Sequence, residues 1–208
     1  QADVVFDVLG DDLNDFVPTI ESGKGFTFDE DDILLSTTYN TYKINVTYTP
    51  QDIHGIHTAN ITLARAEIEG QTASSKTAVL TVNENLKPLF TLADANFGAG
   101  TLGQESILDI VPSDKNKVAQ VTDPSKIRWE ATLSDGAPFE LLPIAQDGTC
   151  RVRYFRTEAG DETATLTLTA TYTDSKGTTI TNTKSCTLSG SSTDAKAANT
   201  LALNQNIV

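Results

Sequence analysis

The chain has 208 residues, which is enough for one large or two small domains. Its 28 acidic and 15 basic residues give a formal charge of −13. This charge argues against nucleic acid and against an anionic membrane surface as partners. No apolar run approaches the roughly 18 residues of a membrane-spanning helix, so we expect no direct membrane insertion. Apolar residues instead alternate with frequent threonines, as in residues 165–172, which is typical of half-buried strands.

The first half of the chain shows a series of short alternating segments typical of strands. The first segment, residues 4–9, follows almost directly on Gln1. Further segments lie at 25–28, 44–48 and 55–63. A glycine turn at Gly70 and an alternating segment at 76–82 then predict a closing hairpin.

The second half repeats this series. Residues 55–63 match residues 160–168 at an offset of 105, with Gly55 on Gly160 and Leu63 on Leu168. The second half has one segment more, because residues 89–98 precede the strand-like segment that corresponds to residues 4–9. An internal repeat of short alternating strands predicts tandem β-sandwiches. We therefore predict an all-β fold of two tandem Ig-like β-sandwiches, the first of which lacks its opening strand.

Two junctions divide the chain into three parts. The first junction ends at Pro88, which stiffens the connection and stops strand pairing. The second junction is small and polar, as in flexible linkers. We predict a sandwich without its first strand over residues 1–84 and a complete sandwich over residues 85–190. A linker with a C-terminal strand follows over residues 191–208.

The pair Phe97-Gly98, followed by Gly103 and Ser106, resembles the opening of Ig-like repeats found in many bacterial surface and secreted proteins. These repeats are relatives of the Hydin-like Ig domains. Residues 46–63 resemble the strand-turn-strand of the same family. The resemblance covers roughly the whole chain and implies an Ig-like fold in an extracellular or cell-surface protein. It implies fold rather than chemistry, and the first half has no counterpart of the opening.

The two cysteines, Cys150 and Cys186, both lie at strand positions of the second half. Their spacing matches no metal-binding or redox motif. In an extracellular protein the pair predicts a disulfide within the second sandwich, and two buried thiols are the alternative.

No motif in the chain predicts catalysis. There is no Ser/His/Asp arrangement, nucleophile elbow or phosphate loop, so we expect no enzyme and no cofactor. His54 and His57 lie on a turn that leads into a strand, and we interpret them as residues at the end of a sandwich rather than as metal ligands. Trp129 alternates with its neighbours on an inward strand face, which favours a core aromatic over a platform for sugar stacking.

The acidic run at residues 29–32 leaves two interpretations open. These side chains could supply oxygen ligands to Ca²⁺, helped by Asp11, Asp12 and Asp15. The run lacks the Asp-x-Asp-x-Asp-Gly spacing, however, and a solvated loop is the alternative. Asn45 and Asn60 match the N-glycosylation pattern, but both lie in predicted strands, where such matches arise by chance.

The C-terminal segment carries the main functional prediction. Leu201, Leu203 and Ile207 fall on one face of an extended segment, and residues 200–207 echo residues 91–93 and 96–97. An added strand of this kind can complete a sheet that lacks one. We predict that these three residues form a donor strand that enters the first sandwich of another copy. The expected position is beside the strand that contains the acceptor residues Val4, Phe6 and Val8.

Such an exchange makes a head-to-tail homopolymer, because each copy donates at one end and accepts at the other. It resembles the assembly of type V pilins and other strand-exchange pili, in which a neighbour's terminal strand replaces one that processing removed. The chain is thus predicted to be a structural subunit of an extracellular filament or pilus. Any adhesive target on a host or cell surface is left open.

One alternative is a two-repeat stalk or spacer fragment of a larger bacterial surface adhesin or secreted protein. The missing strand would then lie upstream of Gln1, and the tail would begin a third repeat. A start at Gln1 fits a mature chain whose leader has been removed as well as a trimmed chain. A carbohydrate- or protein-binding module is a third hypothesis, and no sequence feature favours it.

Overall fold

The computed structural model describes residues 1–9, 12–67, 70, 72–114, 124–134 and 138–193. Over these residues the regular structure consists of β-strands and three short 3-10 helices, so the predicted all-β class is confirmed. The chain divides into two compact units. The first contains Gln1–Leu86 and the turn Asp174–Thr178, and the second contains Lys87–Thr173 and Thr179–Val208. No helix in the described ranges has the length and apolar character needed to span a membrane.

The first unit is a sandwich of two sheets. One sheet has β5 at its centre, paired with β1, β3 and β4, and the other has the order β2-β6-β7. All of these pairs are antiparallel. The seven strands are β1 Ala2–Asp7, β2 Phe16–Ile20, β3 Phe26–Thr27, β4 Ile33–Ser36, β5 Thr41–Tyr48, β6 Gly55–Arg65 and β7 Ser74–Glu84.

The core of the first unit lies between these sheets. Alternate residues of β5 and β6 point inward, so Ile44 and Ile61 are fully buried while their neighbours along each strand are more exposed. Phe6 and Val8 join the same cluster from the N-terminal segment.

The second unit is also a sandwich of two sheets, and its larger sheet contains the additional opening strand β8. Its larger sheet has the order β10-β13-β14-β8, and its smaller sheet has the order β11-β12-β9. The β8–β14 pair is parallel, whereas the other pairs are antiparallel. The seven strands are β8 Ala95–Thr101, β9 Glu105–Ile110, β10 Arg128–Leu133, β11 Phe139–Leu141, β12 Cys150–Phe155, β13 Gly160–Thr173 and β14 Thr179–Thr193.

Strand pairing confirms the internal repeat. Gly55 begins β6 and Gly160 begins β13, with φ of 123° and 128°, a backbone conformation that favours glycine. In the following hairpin Gly55 pairs with Glu84 and Gly160 pairs with Ser192. The strands β7 and β14 therefore correspond at an offset of 108. Among the described residues the first unit has no counterpart of β8.

The predicted linker begins too early. Residues 191–193 are the last residues of β14, and Ser191 pairs with Asp161 on β13 and with Ala99 on β8. Small polar residues are typical of linkers, but the backbone bonds of two neighbouring strands hold them in a sheet here. The boundary between the units falls between Leu86 and Lys87, two residues beyond the predicted one.

Candidate strand-acceptor site

The opening strand of the second unit, β8, shows what a filled site looks like. It runs parallel to β14, with Ala95 beside Leu188 and Thr101 beside Thr193. Its Phe97 side chain is buried and packs on Phe139 and Tyr154, with ring centroids 5.3 and 5.7 Å apart. β8 therefore supplies both a backbone ladder and a core aromatic to the sandwich.

Arg156 fastens β8 in place. Its guanidinium is buried over the ring of Tyr154 and donates to the carbonyls of Phe97, Gly98 and Ser191 at 3.1 Å each. It also donates to the hydroxyl of Ser106 at 3.0 Å. Hydrogen bonds from a charged donor are stronger than neutral ones, so this side chain acts as a latch for the strand.

The latch explains the motif at residues 97–106. Phe97, Gly98 and Ser106 all provide acceptors for Arg156, and the Gly103 amide donates to the Arg156 carbonyl at 2.9 Å. A side chain at Gly100 would come within 2.6 Å of the guanidinium. Sequence reasoning found the glycines and the serine but missed Arg156, because it lies some 50 residues further along the chain.

In the first unit the corresponding edge is open. β7 is the last strand of the order β2-β6-β7, and over the described ranges no strand pairs with its side away from β6. The segment Leu80–Glu84 corresponds to Leu188–Ser192, which pairs with β8 in the second unit. The first unit has Pro50 at the position of Arg156, because Tyr48 corresponds to Tyr154 through matching pairs with Phe26 and Phe139.

Side-chain exposure records the difference between the two edges. On the inward face Ala78 and Val82 are half-buried, whereas the corresponding Cys186 and Gly190 are buried. The outward Thr81 is exposed, whereas the corresponding Ser189 is half-buried under β8. We call the segment Leu80–Glu84, with the apolar positions Ala78 and Val82, the open edge of β7.

A partly buried tyrosine bonded to a buried carboxylate lies at the end of this edge. The hydroxyl of Tyr48 donates to Glu84 at 2.7 Å, and the amides of Gln51 and Asp52 donate to the same carboxylate at 3.0 and 2.8 Å. Burial and the bond to Glu84 raise the pKa of Tyr48. His57 lies 3.7 Å from Glu84, and its Nε2 lies 2.7 Å from the carbonyl of Ile53. Three hydrogen-bond donors therefore offset the free-energy cost of burying the Glu84 carboxylate.

The second unit has an equivalent tyrosine–carboxylate pair, but its carboxylate lies on a different strand. The hydroxyl of Tyr154 donates to Glu162 on β13 at 2.5 Å and lies 3.2 Å from the hydroxyl of Ser192 on β14. Glu162 corresponds to His57, and Ser192 corresponds to Glu84. The carboxylate thus comes from the last strand, β7, in the first unit and from the strand before the last, β13, in the second. The tyrosine hydroxyl has a carboxylate acceptor in both units.

The predicted acceptor residues belong to a different strand. Val4 and Phe6 lie on β1 and Val8 lies just after it, and Phe6 and Val8 are part of the core. β1 corresponds to β9, which is itself an edge strand in the complete sandwich. By this correspondence a counterpart of β8 in the first unit would lie beside β7, whereas the sequence-based prediction places the added strand beside β1. The predicted donor residues Leu201, Leu203 and Ile207 lie outside the described residues.

The structure also differs from the sequence-based prediction at the two cysteines. The structure holds Cys150 and Cys186 as free, buried thiols, where the sequence predicts a disulfide. Burial raises the pKa of Cys150 to about 11, with smaller contributions from Cys186 and Asp147. Burial likewise raises the pKa of Cys186. Both side chains fill the core as small apolar groups.

The remaining candidates lie apart from the open edge. Asp32 accepts the amide of Asp29 at 2.9 Å, which closes a short turn. In the described part of the chain no group of three or more His, Cys, Asp or Glu side chains could hold a metal ion. The Nδ1 of His54 accepts the amide of Leu86 at 3.1 Å. Trp129 is half-buried on β10 and meets Phe90 edge-on at 5.1 Å.

The two glycosylation patterns fall in regular strands. Asn45 lies in β5 and is half-buried, and Asn60 lies in β6 and is exposed. Both strands pair with neighbours along these residues. The structure thus places both asparagines in the strands expected from the sequence.

Comparison with known proteins gave structural neighbours only. A scan against models of protein families gave no match. A search of curated proteins likewise found no similar sequence. One structural neighbour is mouse protocadherin-24 EC1-3, at 14% identity and a TM-score of 0.35, over 84% of this chain and 58% of that one. A second is a SusE-like surface located polysaccharide binding protein from the Bacteroides thetaiotaomicron heparin utilisation locus. It has 13% identity and a TM-score of 0.33, over 90% of this chain and 31% of that one.

A third neighbour comprises domains 4 and 5 of the S-layer protein SbsC. It has 14% identity and a TM-score of 0.32, over 90% of this chain and 78% of that one. The chain spans less than two thirds of the length of the first two neighbours. Since all three TM-scores are low, the fold class rests on the strand pairing of the chain itself.

Proposed function

We propose that the protein is a structural subunit of an extracellular filament that polymerises head-to-tail. In this proposal the C-terminal segment 200–208 of one copy occupies the open edge of β7 in the next copy. The mechanism is β-augmentation, in which backbone hydrogen bonds supply affinity and alternate side chains set the register.

One observation carries the proposal. The strands β7 and β14 correspond, and each pairs on one side with the preceding strand of its hairpin. β14 also has β8 on its other side, whereas no strand lies on that side of β7 in the described ranges. Unpaired strand edges promote association with other chains, and natural proteins usually cover them. The tail is the segment of this chain that echoes residues 91–93, which precede β8, and residues 96–97, which lie in it. It is therefore the occupant to which we commit.

The filled site in the second unit predicts the direction of the inserted strand. Because β8 is parallel to β14, we expect the tail to run parallel to β7, with Ile207 facing Val82 as Phe97 faces Gly190. The contact joins two different surfaces of the subunit, so it propagates into a filament unless the copies close into a ring. Full burial of Leu201, Leu203 and Ile207 would contribute about 1.5–3 kcal/mol each.

The extracellular location is part of the proposal. The resemblance of residues 46–63 and 97–106 to repeats of bacterial surface and secreted proteins supports it. The acidic composition supports a well-solvated exterior.

Assembly of tail variants tests the function. Deletion of residues 200–208 should abolish polymers, as measured by light scattering after size-exclusion chromatography and by electron microscopy. Leu201→Asp with Leu203→Asp should do nearly the same, because both charges would enter apolar positions without partners. The matched control is Ala202→Asp with Asn204→Asp, which adds the same charge on the opposite face of an extended segment and should still assemble.

Polymers that persist after the deletion would contradict the proposal. So would a full-length chain that stays monomeric at all concentrations. In either case a stalk or spacer fragment of a larger surface protein becomes the better account, with the missing strand supplied from the same chain.

A further inference from the structure

The strands β7 and β14 differ at one inward-facing position beside the site of the opening strand. In the second unit this position is Gly190, where an added Cβ would come within 2.3 Å of the Tyr154 ring. Gly190 lies opposite the irregularity at Phe97-Gly98, between the pairs Ser189–Asn96 and Ser191–Ala99. Glycine therefore leaves space for the aromatic cluster that Phe97 completes.

In the first unit the same position is Val82. It is half-buried and packs against the core cluster that also contacts Tyr48. The Tyr48 and Phe26 rings are tilted by 54°, whereas the corresponding Tyr154 and Phe139 rings are stacked at 16°. The valine side chain thus occupies volume that is filled in the second unit by the Tyr154 ring, which packs on Phe97.

The tail carries a compensating change. The echo of Asn96-Phe97 in the tail is Asn206-Ile207, so Ile207 stands at the position of Phe97. Valine adds three carbons where glycine has none, and isoleucine has three carbons fewer than phenylalanine. The summed volume at the two positions is therefore nearly equal, as close packing of a core requires.

Building on the proposed function, we propose that Val82 determines which strand the first unit accepts. It admits a branched aliphatic residue, Ile207, at the position that faces it, and it excludes an aromatic residue there. The first unit therefore rejects a β8-type strand with phenylalanine, including that of a partly opened second unit, and takes the tail of another copy. Specificity of this kind comes from a clash with the wrong strand as well as from a fit to the right one.

A double-mutant cycle in the full-length chain tests this inference. The variants are Ile207→Phe, Val82→Gly and the two combined, and the readout is the protein concentration at which half of the chains are polymerised. Ile207→Phe should raise this concentration about tenfold or more, because overpacking a filled core is costly. Val82→Gly should raise it too, through a cavity beside Ile207. The combined variant should assemble better than either single variant.

Two further variants keep the test decisive. Val82→Ala should partly rescue Ile207→Phe, which covers the case that glycine weakens β7 too far for the unit to fold. Ile207→Val, which removes one carbon and keeps the branch, should have a small effect. The inference is overturned if Ile207→Phe assembles as well as the wild type, or if neither Val82 variant improves it. If the wild type does not assemble, or assembles without its tail, the proposed function is overturned together with the inference.

Discussion

Individual residues at corresponding positions of the two units solve the same problem with different partners. Tyr48 and Tyr154 each place a hydroxyl in the sandwich. This hydroxyl donates a hydrogen bond to a carboxylate, which belongs to Glu84 in the first unit and to Glu162 in the second. A buried hydroxyl without a partner would be costly, so the position of the acid can change while the bond is kept. The repeat is therefore more regular in its contacts than in its sequence.

The cysteines give a prediction at the residue scale. Native protein at pH 8 should react slowly with a thiol reagent, because burial raises the pKa of Cys150 to about 11 and shields both sulfurs. Unfolded, unreduced protein should yield two thiols per chain. A count of zero under the same conditions would show that the predicted disulfide forms after all.

The same raised pKa sets a sign for pH dependence. The folded state holds Cys150 neutral to a higher pH than the ordinary value of 9.0. The neutral thiol therefore contributes to stability fully below about pH 9, and this contribution is lost as the pH rises through about 11.

At the scale of elements, the two edges of the repeat are managed differently. β14 is covered by β8, and Arg156 joins the two strands through two carbonyls of β8 and one of β14. The first unit has Pro50 at the position that corresponds to Arg156, so it is not equipped to hold an opening strand in the same way. An added strand there would depend on the ladder bonds and on apolar side chains.

The latch can be tested directly. Arg156→Met keeps much of the apolar stem and removes the hydrogen bonds, so the amides of β8 should exchange faster with deuterated solvent. The second unit should lose about 2–4 kcal/mol of stability in denaturant unfolding, since bonds from a charged donor are worth more than neutral ones. The matched control is Arg151→Met on β12, the strand that ends just before Arg156, and it breaks an exposed ion pair with Asp109. It should change the stability far less than Arg156→Met, because exposed ion pairs contribute little.

Unchanged exchange of β8 in Arg156→Met would show that side-chain packing alone holds the strand. Phe97 would then be the main attachment, through its contacts with Phe139 and Tyr154.

The strands themselves could be predicted from the sequence because their signal is local. Residues 55–63 and 160–168 alternate with the period of a strand, and they are the cores of β6 and β13. The missing opening strand could be predicted because one repeat has a segment more than the other. The neighbour of that strand could not, because β8 joins β14 across some 90 residues in a parallel pair. Alternation fixes which face a residue takes, and it does not determine which strands become neighbours.

In the proposed assembly the open edge of the first unit accepts the apolar segment from the other end of a second copy. Such an arrangement is heterologous, so every added copy presents a new open edge and growth continues. Exchange between subunits should be slow, because the inserted strand must lose its ladder bonds and its buried side chains together.

Hydrogen exchange along β7 reports whether the tail of another copy pairs with the open edge. Amides of Ser74–Glu84 should be protected in the assembled full-length protein and exchange faster after deletion of residues 200–208. Added peptide 199–208 should restore the protection. Amides of β14 should be unchanged in all three samples, because that strand has β8 beside it. Equal exchange of β7 in the three samples would contradict the account, because the tail would then not pair with that edge.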